Sequence, residues 1–258
     1  MWQKFKFDNS KVYAAQSGPV QFWIEKQANI WQVAKKHTDD FSSGSRHPTP
    51  VNALPDDVNW SFHVADKQNQ LHILPATPDR ALVVKPAKSF AVLPGMNLTI
   101  HIIFPVWIQL YASVVKSESL VLEFPAVELS STWFGEPDNG ELSYSYPGDI
   151  YFSLDPDMVQ DYQALCPIKI KNESDTTLDF QRLSVPVNQL NLYSNQTYLC
   201  ANELQVRFRG EEQSSEVQIT SGAPSVFEGL KQLNKARIST SSNILKKSFS
   251  FFKSIAES

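Results

Sequence analysis

The sequence predicts an all-β protein: two packed β-sandwich-like modules, the second immunoglobulin-like, followed by a helical tail. Three observations carry this expectation. Apolar residues alternate with period two along most of residues 11–220. Pro and Gly punctuate the alternating runs. The composition (Trp 6, Tyr 8, Phe 16, Pro 16) suits strands and turns better than helices.

The first run is Val20, Phe22 and Ile24 alternating with Gln21, Trp23 and Glu25. A short turn at Lys26 to Asn29 leads into Ile30, Gln32 and Ala34 beside Trp31, Val33 and Lys35. Both faces are partly apolar, as expected of a hairpin between two layers. Residues 38–57 are polar and rich in Ser and Pro, and read as a long surface loop. Short strands follow at 60–64, 71–74, 81–84, 90–93 and 97–104, broken by Pro75, Pro78, Pro86, Pro94 and Gly95. Residues 107–115, 120–124, 141–146 and 150–154 continue the pattern, which is that of a sandwich or barrel. A brief helical turn is expected at Asp155 to Gln163.

The first module is therefore assigned residues 1–160. The second, residues 162–222, opens on Cys166, Ile168 and Ile170 alternating with Pro167, Lys169 and Lys171. Immunoglobulin domains run to about 100 residues, so this module is expected to share a core with the first. Residues 223–258 read as an amphipathic helical tail. Pro224 opens it, Ser225 and Glu228 have capping-box spacing, and Val226, Phe227, Leu230 and Leu233 make one stripe. A second stripe runs through Leu245, Phe249, Phe252 and Ala256.

Hydrophobic residues at 42% and charged residues at 19% are ordinary globular composition. The opening MWQKFKFDNSKVYAAQ has no apolar run after its lysines and no small-residue cleavage site. The expected location is therefore cytoplasmic. Cys166 and Cys200 then read as buried thiols, with a disulfide between them the lesser alternative. No GxSxG, HExxH, Walker or GxGxxG motif is present, and the 9 glycines make a phosphate-cradling loop improbable.

Several stretches resemble one known family: FWIEKQANIWQVA (22–34), IFPVWIQLY (103–111), FPAVELSSTWFGEPDNGELSY (124–144), CPIKIKN (166–172) and VPVNQLNLY (185–193). They are similar to a prokaryotic family of uncharacterised β-rich proteins, the domain-of-unknown-function family 432. The resemblance implies a cytoplasmic bacterial or archaeal protein and transfers no activity.

The sharpest anomaly is charge. Ten acidic residues lie between Glu118 and Asp161, a span with no Lys or Arg. Such a surface repels nucleic acid and suits a basic protein segment or a divalent cation; the plainer reading is a solvated face. Within it, Trp133, Phe134, Glu136, Asp138 and Glu141 surround a Pro-Asp-Asn-Gly turn and form the candidate ligand or partner face. Structural use is the competing reading, with one ring in the core.

A hairpin of residues 60–64 with 71–74 would set His63 opposite His72, half of a metal site that His101 could complete. Packing is the commoner use of such a pair. No cofactor is expected, and a divalent metal is a secondary reading. The tail residues Leu245, Lys246, Lys247, Phe249 and Phe252 are expected to dock on protein, in the same or a neighbouring chain. An anionic membrane surface is the alternative.

These features together read as a non-enzymatic interaction or scaffold protein. A carbohydrate- or metal-binding module, with hydrolysis within its reach, and a peripheral membrane protein are the two alternatives.

Overall fold

The computed structural model describes residues 1–40, 44–52, 54, 56–114, 117–135, 137–138, 140–210, 215–239 and 244–245. Its strands are β1 (Lys4–Lys6), β2 (Val12–Ser17), β3 (Val20–Gln27), β4 (Ile30–His37), β5 (Thr49–Val51), β6 (Trp60–Val64), β7 (Gln70–Ala76) and β8 (Leu82–Val84). They continue with β9 (Phe90–Val92), β10 (Asn97–Pro105), β11 (Trp107–Val114), β12 (Ser117–Pro125), β13 (Ser130–Phe134), β14 (Glu141–Tyr146), β15 (Ile150–Tyr151) and β16 (Gln163–Asn172). The last are β17 (Leu178–Phe180), β18 (Leu183–Val185), β19 (Leu192–Ser194), β20 (Leu199–Ala201), β21 (Leu204–Phe208), β22 (Glu216–Ile219), β23 (Lys231–Asn234) and β24 (Ile244–Leu245). Two short 3-10 turns, Pro156–Met158 and Val187–Gln189, interrupt them. Among the described residues the fold is all-β, as the alternation predicts.

The chain forms two compact units: residues 1–76 with 105–128, and residues 77–104 with 129–258. The boundary at 160–162 read from the sequence runs through the second of these. The physical reason is pairing across it, since β10 hydrogen-bonds to β16 in one sheet.

The first unit has two sheets, in the orders β5-β2-β3-β4-β6 and β1-β7-β11-β12. The β3–β4 hairpin forms as read, in continuous register from Val20↔His37 to Gln27↔Ile30. Ala28 takes the left-handed backbone of its turn, at φ 50°. Inward-facing rings join the two sheets: Phe22 of β3 meets Phe124 of β12 edge-on, with centroids 5.4 Å apart. Phe7 packs edge-on against both Tyr13 (4.9 Å) and Trp31 (5.4 Å). The loop at 38–57 is not wholly irregular, because β5 within it pairs with β2.

The second unit is built on a nine-stranded sheet, with a four-stranded sheet (β13-β14-β8-β18) and the β9–β17 pair. Its central strand β16 runs parallel to both β20 and β21. Immunoglobulin sheets are antiparallel, so the expected immunoglobulin-like module at 162–222 does not form. Cys166 and Cys200 are buried free thiols, and burial pushes the Cys200 thiol up to about 12.

The helical tail is also corrected. The described residues of 223–258 hold turns, β23 and β24, and no helix. Gly229 sits in mid-segment with a left-handed backbone at φ 72°, which a helix cannot continue through. The apolar stripe is used differently: Val226, Phe227 and Leu230 pack on the core formed by Ile103, Val159, Leu165 and Cys200. Phe227 stacks on Tyr198 at 4.5 Å. Ile244–Leu245 pairs with β22, while Lys246, Lys247, Phe249 and Phe252 lie outside the described residues.

Candidate interaction surface

Strand β6 closes one side of the five-stranded sheet, with β4 as its neighbour. The register pairs Ile30 with Val64, Gln32 with Phe62 and Trp31 with His63. Trp31 and Val33 are buried, so their partners His63 and Ser61 lie on the core face. Phe62 and Val64 necessarily lie on the other, where they are 65% and 77% exposed. The backbone alternates too. Ala65 donates its N–H to the Asn29 carbonyl at 2.9 Å. Residues 61, 63 and 65 therefore turn their polar groups to β4, and Trp60, Phe62 and Val64 turn theirs to the open edge.

The Trp133 region is a hairpin of β13 and β14, with Trp133 opposite Leu142 and Phe134 opposite Glu141. Adjacent residues point to opposite faces, so the two rings part. Trp133 (50%) and Leu142 (49%) are exposed, whereas Phe134 is buried. Glu141 lies on the Phe134 face, where Ser184 Oγ donates to its Oε1 at 3.3 Å. Asp138 is exposed at the turn, and Glu136 lies outside the described residues. The five residues thus do not form one face: Trp133 stands apart from Phe134 and Glu141. Of the acidic residues between Glu118 and Asp161 that are described, none is buried. This agrees with the cost of burying unpaired charge.

The histidines are not brought together. The expected 60–64/71–74 hairpin does not form, because β6 pairs with β4, and β7 with β1 and β11. Alternation sets which face a residue takes and leaves its strand partner open. His63 Nε2 lies 3.0 Å from Ser61 Oγ. His101 sits in the other unit, buried on β10 opposite Tyr151, and burial lowers its pKa. Among the described residues no group of three or more His, Cys, Asp or Glu side chains is placed to hold a metal.

His72 instead joins an ion cluster: its Nδ1 lies 3.0 Å from Glu118 Oε2, and Lys4 Nζ lies 2.6 Å from Glu118 Oε1. Hydrogen bonds from Lys4 first, then His72, hold the Glu118 carboxyl below its ordinary 4.5. A carboxyl lowered on folding stabilises above its unfolded pKa, and that stability is lost as pH falls through the folded value. Glu118→Gln is expected to cost about 0.5 kcal/mol at pH 7, as partly exposed pairs do. The difference from the parent should be smaller at about pH 4 than at pH 7. Denaturation curves at the two pH values check this, and a pH-independent difference would contradict it.

A second feature is a cleft of about 450 Å³ lined by Gln189, Asn191, Tyr193, Asn202, Gln232 and Lys235, among others. Asn202 is 1% exposed. Its Nδ2 donates to the Thr220 and Gly222 carbonyls (both 3.0 Å) and lies 3.2 Å from Tyr193 Oη, and its Oδ1 accepts from Asn191 N at 2.7 Å. From sequence, residues 60–64 read as a strand with no interaction surface assigned to it, and the Asn202 hub is not singled out. For β6 the signal was present: WSFHV alternates apolar with polar residues and has no Lys, Glu, Asp or Pro. What the sequence lacks is any sign that the strand lies at an edge.

Neither the curated proteins nor the solved structures contain a match to this chain. A family described as "Protein of unknown function (DUF432)" matches residues 1–253, and the chain belongs to that family.

Proposed function

We propose that this member of the DUF432 family is a non-enzymatic protein-interaction module whose exposed strand surfaces receive another polypeptide. One observation carries the reading: large apolar side chains stand in solvent, Phe62 and Val64 on the outer strand β6 and Trp133 beside Leu142 on the β13–β14 hairpin. Apolar groups grouped in this way favour a partner that removes them from water. Asp138, exposed at the turn of the same hairpin, favours a partner segment that is basic as well as apolar.

The tail has that chemistry. Residues 224–258 carry Lys231, Lys235, Arg237, Lys246, Lys247 and Lys253 against Glu228 and Glu257, a net of 6 − 2 = +4. The rest of the chain then carries −8 of the total −4. Docking of Lys246, Lys247, Phe249 and Phe252 on a neighbouring chain is part of this proposal, with Leu245 held by β22 of its own chain.

The test is site-specific photo-crosslinking in the native host, with the reactive residue at position 133 and, as control, at Ser145. Ser145 is exposed on the opposite face of the same hairpin. A discrete protein adduct at 133 and none at 145 is the expected result. Equal adduct patterns, or a soluble oligosaccharide bound by the parent and lost in Trp133→Ala, would overturn it.

A further inference from the structure

We propose that β6 is a self-pairing edge, at which a second copy of this chain adds its own β6 antiparallel across a two-fold axis through Phe62. The inference rests on the interaction reading above and names the occupant of one of its surfaces.

The first ground is the contrast among edges. Exposed strand edges are ordinarily protected by charge, Pro or irregularity, because an unprotected edge templates further pairing. Three outer strands of the first unit follow this rule. β1 carries Lys4 and Lys6, β12 carries Glu118 and Glu123, and β5 has Pro50 at its centre. The fourth, β6, has none of these devices in Trp60-Ser61-Phe62-His63-Val64, and presents Phe62 and Val64 to solvent.

The second ground is the phase of the backbone. Trp60, Phe62 and Val64 turn their N–H and C=O groups outward, as the Ala65-to-Asn29 bond sets. Centring a two-fold on Phe62 pairs Phe62 with Phe62 and Trp60 with Val64. These are the same outward-facing residues, so every directed donor meets an acceptor. A two-fold perpendicular to the sheet keeps faces in common, which joins the apolar outer faces of the two copies. Aromatic residues opposite aromatic or β-branched ones are favoured cross-strand pairs.

The third ground is charge. Continuing this register beyond the strand ends sets Asp57 of one copy opposite Lys67 of the other, and both ends of the pairing receive this opposite-charge contact. Asp57 already lies against Lys36 in its own chain, so Lys67 of the second copy would complete a Lys–Asp–Lys cluster. No like charges are set directly opposite anywhere between Asp57 and Lys67.

Sedimentation equilibrium on the full chain, up to about 100 μM, tests the proposal at the micromolar end of protein affinities. The parent is expected to dimerise. Phe62→Lys and Val64→Lys should each raise the dimer dissociation constant about tenfold or more, because each plants a charge on the edge. Lys67→Glu should raise it less, and added salt should shrink that last effect.

Should Phe62→Lys fail to fold, Val64→Lys and a crosslink decide. Phe62→Cys places two thiols about 5.5 Å apart by Cα in this register, within disulfide reach. Mild oxidation should give a covalent dimer, while Leu120→Cys, 46% exposed on β12, should not. The native cysteines are both buried and do not compete. A parent that stays monomeric, or a dimer indifferent to both lysine substitutions, overturns the inference. A monomer that still crosslinks to a different protein through position 133 overturns it while leaving the interaction reading intact.

Discussion

Replacing Trp31 by Ala is expected to destabilise the first unit by about 3–5 kcal/mol. Trp31 is fully buried and is among the largest buried side chains. Its ring meets Phe7 edge-on at 5.4 Å, and Phe7 in turn meets Tyr13 at 4.9 Å. Lys26 Nζ stands 4.5 Å from the Trp31 centroid and donates to the Asp66 carbonyl at 2.9 Å. Burial lowers the Lys26 pKa, so this amine depends on the ring and the carbonyl for what water would otherwise supply. Trp31→Ala would remove the ring from both neighbours and open a void the β-sheet cannot easily close. Trp31→Phe is expected to cost less than half as much. It keeps an aromatic face toward Lys26, and it removes an indole N–H that has no hydrogen-bond partner among the described residues. Denaturant midpoints of the parent and the two variants check this. A Trp31→Ala loss below about 1 kcal/mol would show that the cluster does not hold the sheets together.

The same residues show what the sequence made legible. Val20 to Lys35 alternates on two apolar faces, and the short turn leaves only one partner within reach, so the β3–β4 hairpin could be read directly. Residues 60–64 and 71–74 alternate just as clearly, but their partners come from residues 30–34, 4–6 and 107–112. Local pattern carries no information about such distant pairing, and the expected His63–His72 opposition failed for that reason. The tail was misread because Val226, Phe227 and Leu230 fit helical spacing. Turns around Gly229 bring the same three residues onto the core.

The candidate surface was legible in part. One ring in and one ring out at Trp133–Phe134 follows from strand alternation, and the structure has that arrangement. The placement of Glu141 with Ser184 depends on β18 and β14 flanking β8, which no local signal announces. The same holds for β6. Its lack of charge is plain in the sequence, but the consequence follows only once the strand is known to lie at an edge.

Asn202→Ala is expected to cost the second unit about 2–4 kcal/mol, because buried groups left unpaired each carry a penalty of about 1–3 kcal/mol. The Asn202 side chain ties three segments: Asn191 before β19, and Thr220 and Gly222 after β22, with Asn202 itself between β20 and β21. Truncation leaves the Thr220 and Gly222 carbonyls and the Asn191 N–H without this partner. The adjoining cleft can admit water to part of them, which holds the loss below the full sum. Asn202→Asp separates the hydrogen-bond account from a packing one, since it preserves shape and replaces the donor by an acceptor. A carboxylate oxygen would then face two carbonyls in a buried site, raising the pKa of the new Asp above its ordinary value of about 3.9. A group whose folded pKa is raised contributes stability that is full below the unfolded value and is lost as pH rises through the folded one. The Asp variant should therefore lie nearer the parent at about pH 4 than at pH 7, while the Ala deficit stays the same at both. Denaturation of all three proteins at these two pH values decides the matter. An Ala variant within about 0.5 kcal/mol of the parent, or an Asp deficit flat with pH, would mean that Asn202 fills space and does not bind the three segments together.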